Sequence, residues 1–134
     1  MKEKIIIDAS SSVLGRLASF AAKQALLGRQ VIILNCNNVL ITGRRETIIN
    51  EYRILFSKGG SSLKGPKIPK VPERIMKRTI RGMLSHKQWR GKKGLKRILC
   101  YNSVPEEYQN EEKISLSKKL KIKTITLQEL VRNI

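Results

Sequence analysis

The chain predicts an α/β fold, and three stretches predict it. Lys4-Ile5-Ile6-Ile7-Asp8 and Gln30-Val31-Ile32-Ile33-Leu34-Asn35 are short β-branched runs of the kind found in buried strands. Between them, Val13 to Leu27 carries its apolar residues at helical spacing. Strand, helix and strand within about thirty residues is the size of one βαβ unit, whose crossover should be right-handed.

Each further element has its own signal. Ser10, Ser11 and Ser12 offer N-caps for the first helix. Leu14, Leu17, Ala18, Ala21 and Ala25 form its apolar stripe; Ser12, Arg16, Ser19 and Lys23 form the polar one. Gly28 stops it. Val39-Leu40-Ile41-Thr42 reads as a third strand closed by Gly43. Arg44 to Phe56 reads as a helix with Ile48, Ile49, Tyr52 and Leu55 on one side. Ser57 to Val71, with three glycines, two prolines and four lysines, reads as a long exposed loop. Pro72 and Glu73 open the next helix, as proline and an acid do in a first turn. Ile75, Met76, Ile80, Met83 and Leu84 should point inward from it. Ser85 to Gly94 reads as a second basic loop or frayed helix, and Ile98 to Tyr101 as a fourth strand. Residues 106–112 are polar and acidic and should be exposed and mobile, while Thr124 to Val131 should dock as a last strand or helical turn. No repeat or second domain is visible, so residues 1–134 read as one domain with a C-terminal tail over 102–134.

Charge narrows the function. The chain holds 28 Lys and Arg against 10 acids, a net of +18. Between Phe56 and Cys100 fourteen basic side chains face Glu73 alone, a net of +13. After Cys100 the net is only +1. Positive charge concentrated in this way repels itself unless a polyanion neutralises it, and a nucleic-acid backbone is the simplest such partner. With six aromatics in all, stacking along a single strand is disfavoured, and contact with phosphates, sugars and folded RNA shape is favoured.

The basic segment, 57–97, therefore supplies the candidate site. Its helix bears Arg74, Lys77, Arg78 and Arg81 at three- and four-residue steps, which places them on one face. Lys58, Lys64, Lys67 and Lys70 punctuate the loop before it, as in an arm that orders along RNA. Lys87, Arg90, Lys92, Lys93, Lys96 and Arg97 follow, with His86 placed to bond a phosphate or 2′-hydroxyl. Trp89 either stacks on a base or ribose or packs against its own domain. Arg44 and Arg45, after a strand end, either meet phosphate at a helix N-terminus or serve the surface. Gly82 either lets RNA approach the backbone or relieves packing.

Other chemistries fit less well. Cys36 and Cys100 lie in apolar stretches and read as buried reduced thiols; one histidine does not complete a zinc set with them. No metal or cofactor is expected, nor a small-molecule substrate. The N-terminus carries no signal peptide, and no apolar run approaches the roughly 18 residues of a membrane span, so a cytoplasmic protein without membrane contact is expected. Gly60 to Lys67 lacks the Gly-Lys-Ser/Thr ending of a phosphate-binding loop. A nucleotide-binding α/β enzyme is the alternative, because Asp8 ends the first strand where ligands sit in open sheets. The turn after it lacks the Gly-x-Gly-x-x-Gly pattern, so Asp8 more simply caps the helix or orders a turn. A general nucleic-acid binder is the other alternative; the basic helix carries no Asn or Gln to read base edges.

The stretch Arg81-Gly82-Met83-Leu84-Ser85-His86-Lys87, then Arg90-Gly91, Leu95-Lys96-Arg97 and Tyr101 to Pro105, resembles the large-subunit ribosomal protein L-thirteen family. So do Asp8-Ala9, Leu14 to Ser19, Ala22-Lys23, Leu26-Leu27-Gly28, Asn35, Ile41-Thr42-Gly43 and Pro72 to Ile75. The matches run in one order over essentially the whole chain, and their form is closer to archaeal members. The resemblance implies a three-layer α/β/α fold around a four-stranded parallel sheet, to which the 57–97 segment adds a basic loop-helix extension. It also implies a structural, non-enzymatic role in the large ribosomal subunit, on its RNA, beside neighbouring ribosomal proteins and early in assembly. Three positions depart from the pattern: Ser85 where proline is usual, Gly94 where alanine is usual, and Ser103 where glycine is usual. Ser85 removes a rigid helix stop, Gly94 weakens a helix by about 1 kcal/mol, and Ser103 adds a side chain to a turn suited to positive φ.

Overall fold

The structure, a computed structural model, describes residues 4–57, 70–117 and 121–134. Its first unit is β1 (Lys4–Asp8), α1 (Leu14–Leu26) and β2 (Gln30–Leu34), followed by a 3-10 turn at Cys36–Asn38. β3 (Leu40–Thr42) and α2 (Arg45–Ser57) come next. Then follow α3 (Pro72–Met83), α4 (Trp89–Lys96) and β4 (Ile98–Cys100). A 3-10 turn at Glu106–Tyr108, β5 (Ile114–Ser115), β6 (Thr124–Thr126) and α5 (Leu127–Arg132) complete the order.

The main sheet is four-stranded and parallel, in the order β4-β2-β1-β5. Ile5 pairs with Val31 and Ile7 with Ile33, and Ile33 pairs in turn with Cys100. The two-residue period of a strand then sorts the isoleucines onto two faces. Ile7, Val31, Ile33 and Ile98 enter the larger core with Leu17, Ala18 and Ala21 of α1 and Ile75, Met76 and Ile80 of α3. Ile6, Ile32 and Leu34 enter a smaller core closed by Tyr108, with Leu99, Tyr101 and Val104 at its edge. The layering is α/β/α, and the second helical layer is thin: its regular part is the single turn at Glu106–Tyr108.

Several expectations are corrected. The third strand, β3, is not in the parallel sheet; it pairs antiparallel with β6, Leu40 opposite Thr126. The fourth parallel strand is instead β5, two residues from the stretch expected to be a tail. Tyr108, within the acidic run expected to be exposed and mobile, is buried, packs its ring tilted against Tyr101 with centres 5.9 Å apart, and lies under the Lys4 ammonium. No serine caps α1: its N-cap is Val13, without a side-chain bond. Ser12 is buried beneath it, its backbone carbonyl accepting from Leu40 and its hydroxyl without a partner among the described residues, so it is not part of the polar stripe. Met83 does not point inward; α3 ends there, and Leu84 takes the buried position in extended geometry. The helix therefore stops without a proline at 85. Ser103 is not among the residues with positive φ, so its turn needs no glycine.

Other features follow the sequence closely. Gly28 and Gly43 sit at φ +94° and +133°, where a Cβ is strained. Thr126 accepts a bond from the Glu129 amide and caps α5, so Thr124 to Val131 docks as strand and helix in succession. The amide of Glu73, one of the orphan donors that open α3, bonds to the Asn102 side chain at 2.9 Å. That contact ties the start of the basic helix to the loop after β4.

Candidate nucleic-acid interface

α3 is anchored by Pro72, Ile75, Met76 and Ile80, all buried. The 3.6-residue period then turns Arg74, Arg78 and Arg81 to solvent, with Lys77 half-buried beside them. Arg74, Arg78 and Arg81 follow one another at about one helical turn, roughly 5 Å along the axis, with Lys77 adjacent to Arg78. None of Arg74, Lys77, Arg78 and Arg81 forms an ion pair among the described residues. The row is thus a set of cations without ion-pair partners among the described residues, held on a fixed rod, a geometry that suits contact with several phosphates at once.

α4 extends the positive surface. Its inner side is made by glycines: Gly91 and Gly94 are buried. A Cβ on Gly91 would stand 2.0 Å from the Ser85 carbonyl oxygen, so glycine is what lets the helix press on the turn that precedes it. Gly94 has ordinary room, with the side chains of Leu26 and Leu84 at 3.6 Å or more. The inward glycines leave Trp89, Lys92, Lys93 and Lys96 exposed on the outside. Lys87 and Arg90 are exposed as well, and His86 is half-buried. Lys93 holds its ammonium 3.7 Å from the centre of the Trp89 ring. A shallow groove of about 410 Å³ is lined by Gln30, Lys93, Lys96 and Arg97.

The structure separates the expected residues into groups. Arg74, Lys77, Arg78 and Arg81 share α3; Trp89, Arg90, Lys92, Lys93 and Lys96 share α4. Arg97 is partly committed to the fold, its Nη1 donating to the Ala25 carbonyl at the end of α1. Arg45 is paired with Glu129 at 2.8 Å, which neutralises it, whereas Arg44 is exposed. Lys70 lies over Phe56 at 5.7 Å, so the two ends of the 57–70 segment meet. Lys58, Lys64 and Lys67, with the arm they define, lie outside the described residues. Gly82 has no atom within 4 Å of a notional Cβ, so it relieves no packing.

One surface was not foreseen. A groove of about 390 Å³ runs along α1 and the end of α3, lined by Ser19, Ala22, Lys23, Leu26, Leu27 and Met83. Its signal lay in Met83: at the last position of a helix, the apolar period no longer guarantees an inward side chain.

The sites of the rejected chemistries are occupied by structural bonds. Asp8 accepts from the Ser10 amide at 3.1 Å and the Asn35 side chain at 3.0 Å, which orders the turn after β1. Partial burial pulls its carboxyl up, but these bonds and the charge of Lys113 outweigh it and leave the group below the ordinary value. Cys36 is buried and Cys100 half-buried, and both are free. A hydrogen bond with Cys100, together with burial, pushes the Cys36 thiol far up and keeps it protonated. Among the described residues no cluster of three His, Cys, Asp or Glu side chains is placed to hold a metal ion. No helix among them is long and apolar enough to cross a membrane.

Comparison with known proteins adds an independent line. A family model described as ribosomal protein L13 matches residues 2–107. The chain is 41% identical over 133 residues to the large ribosomal subunit protein uL13 of Thermoplasma volcanium, covering 96% of each chain. It is 43% identical over 113 residues to the protein of the same name from Methanosarcina barkeri, covering 84% of this chain and 80% of that one. With the same-named protein of Picrophilus torridus it shares 44% identity over 107 residues, covering 80% and 77%. The ordered motifs, the parallel sheet and these matches agree: the chain belongs to the ribosomal protein L13 family.

Proposed function

We propose that the protein is a structural constituent of the large ribosomal subunit that binds ribosomal RNA and supports subunit assembly. The names of its relatives support the subunit. The single observation that carries RNA binding is the cation row of α3, which has no ion-pair partner among the described residues, backed by the cations of α4.

Binding works through geometry. The α3 row meets phosphates; arginine forks two oxygens, so Arg78 and Arg81 fix register more than Lys77 does. Lys92, Lys96 and Lys87 add point charges, and His86 offers a bond to phosphate or 2′-hydroxyl. Lys58, Lys64, Lys67 and Lys70 supply four further positive charges for the RNA backbone. Recognition is of shape more than sequence. The protein performs no reaction of its own and works in the cytoplasm, on the ribosome. Neighbouring ribosomal proteins meet its less basic surfaces, including the region after Tyr101.

Competition tests this reading. The protein should bind a large-subunit RNA transcript, and an excess of DNA duplex or mononucleotide should not displace it at a salt concentration where non-specific binding has gone. Equal competition by DNA would reduce the site to a generic polyanion surface. Tight mononucleotide binding with little salt dependence would move the protein to the enzyme class.

A further inference from the structure

Trp89 is the chain's one tryptophan and is 72% exposed, the most exposed of the large apolar side chains among the described residues. An indole left in water forgoes burial worth a large share of its transfer free energy, so an exposed one calls for something that covers it. Its own helix explains why it cannot fold inward. Gly91 and Gly94 occupy the inner side of α4, and Gly91 is in contact with the Ser85 backbone. Trp89, Lys92 or Lys93, and Lys96 then repeat at three, four and seven residues along the outside.

Lys93 covers one face of the ring, 3.7 Å from its centre. Despite that contact, most of the residue remains open to a partner. A partner for that ring is flat, apolar on its faces and negatively charged nearby, because Lys93 sits on the ring and Lys87, Arg90 and Lys92 flank it in sequence without an acid among them. A nucleobase with its own phosphates has those properties.

We infer that Trp89 is a stacking platform for one unpaired RNA base, with Lys93 clamping the far side of the indole. The adjoining groove of Gln30, Lys93, Lys96 and Arg97 receives the phosphate that follows. This rests on the RNA-binding reading above and adds to it a point of single-strand contact on a surface otherwise built for folded shape. The base in question is therefore bulged or in a loop, since paired bases in an A-form helix present no free face.

The test uses the whole chain and the fluorescence of its only tryptophan. Binding to large-subunit RNA should quench that emission, and the quench should persist as salt is raised for as long as the complex survives. Trp89→Ala should weaken RNA binding by about 5- to 150-fold, with the salt slope unchanged, because stacking releases no counterions. Trp89→Phe should recover most of the loss. An exposed position tolerates both changes, and circular dichroism checks the fold. A saturated wild-type complex with unquenched emission, or Trp89→Ala binding as tightly as wild type, overturns the inference and leaves RNA binding standing. A variant that binds RNA normally but is lost from assembled particles also overturns it, and assigns the ring to a protein neighbour. If the wild-type chain does not bind the RNA at all, the broader reading fails instead.

Discussion

Asp8 stands where β1 ends, and two hydrogen bonds to it decide the path of the turn. Asn35 supplies one of them from a left-handed backbone, φ +61°. Left-handed geometry is costly for most side chains and tolerable for asparagine. Asn35→Ala loses the bond and keeps the strain, so it should cost about 1–3 kcal/mol in urea unfolding. Asn35→Gly loses the bond but relaxes the backbone, and should cost less; equal losses would mean the backbone angle contributes nothing. Acid adds a second readout. A carboxyl held below its ordinary value stabilises the fold above the ordinary carboxylate range. That contribution disappears as pH falls through the folded value, because the unfolded chain takes up the proton first. Asp8→Asn should therefore lose stability at neutral pH and show a shallower decline in acid. At this scale the sequence was half legible. Asp8 as an orderer of a turn could be read from its place after a β-branched run, but Asn35 as its partner could not, being 27 residues away.

Glycine marks the difference between two elements that look alike on paper. Gly82 ends a basic helix and Gly91 begins one. Gly82→Ala meets open space and should raise stability by about 0.5–1 kcal/mol, the usual gain of alanine over glycine in a helix. Gly91→Ala drives a Cβ into the Ser85 carbonyl, which as backbone cannot give way. It should destabilise by about 1–3 kcal/mol as α4 separates from the turn. Thermal or urea unfolding should shift in opposite directions for the two variants; a Gly91→Ala as stable as wild type or more so would contradict the α4 contact. α1 and α3 were legible because their apolar residues follow one period over several turns, and β1 and β2 because each is an unbroken β-branched run. β5 was not: two residues carry no period, and it exists because β1 offers it an edge. β3 was legible as a strand but not as a partner of β6, since antiparallel pairing across 84 residues leaves no local mark. The helix at 89–96 was blurred by its glycines, which look like a loop in sequence and act as a packing face in three dimensions.

Over the whole molecule, charge and core occupy separate territories. The larger core gathers side chains from β1 through α5 and leaves α3 and α4 with one apolar side each. Their other sides hold cations that no acid in the described structure neutralises by pairing. That separation was legible from composition alone, because fourteen basic residues against one acid cannot be hidden in a core. Which cations act together was legible only where a helix supplies the period, as on α3. Arg45, which Glu129 neutralises, and Arg97, which the fold partly uses, show why a list of basic residues is longer than a site. The most direct measurement is the affinity of the Arg78→Ala/Arg81→Ala double variant for large-subunit RNA across a salt series, beside the wild type. Loss of two phosphate contacts should weaken binding and reduce the slope of log K on log salt by roughly 1.4–1.8, at 0.7–0.9 for each contact. A folded double variant with unchanged affinity and unchanged slope would contradict the placement of the RNA site on α3.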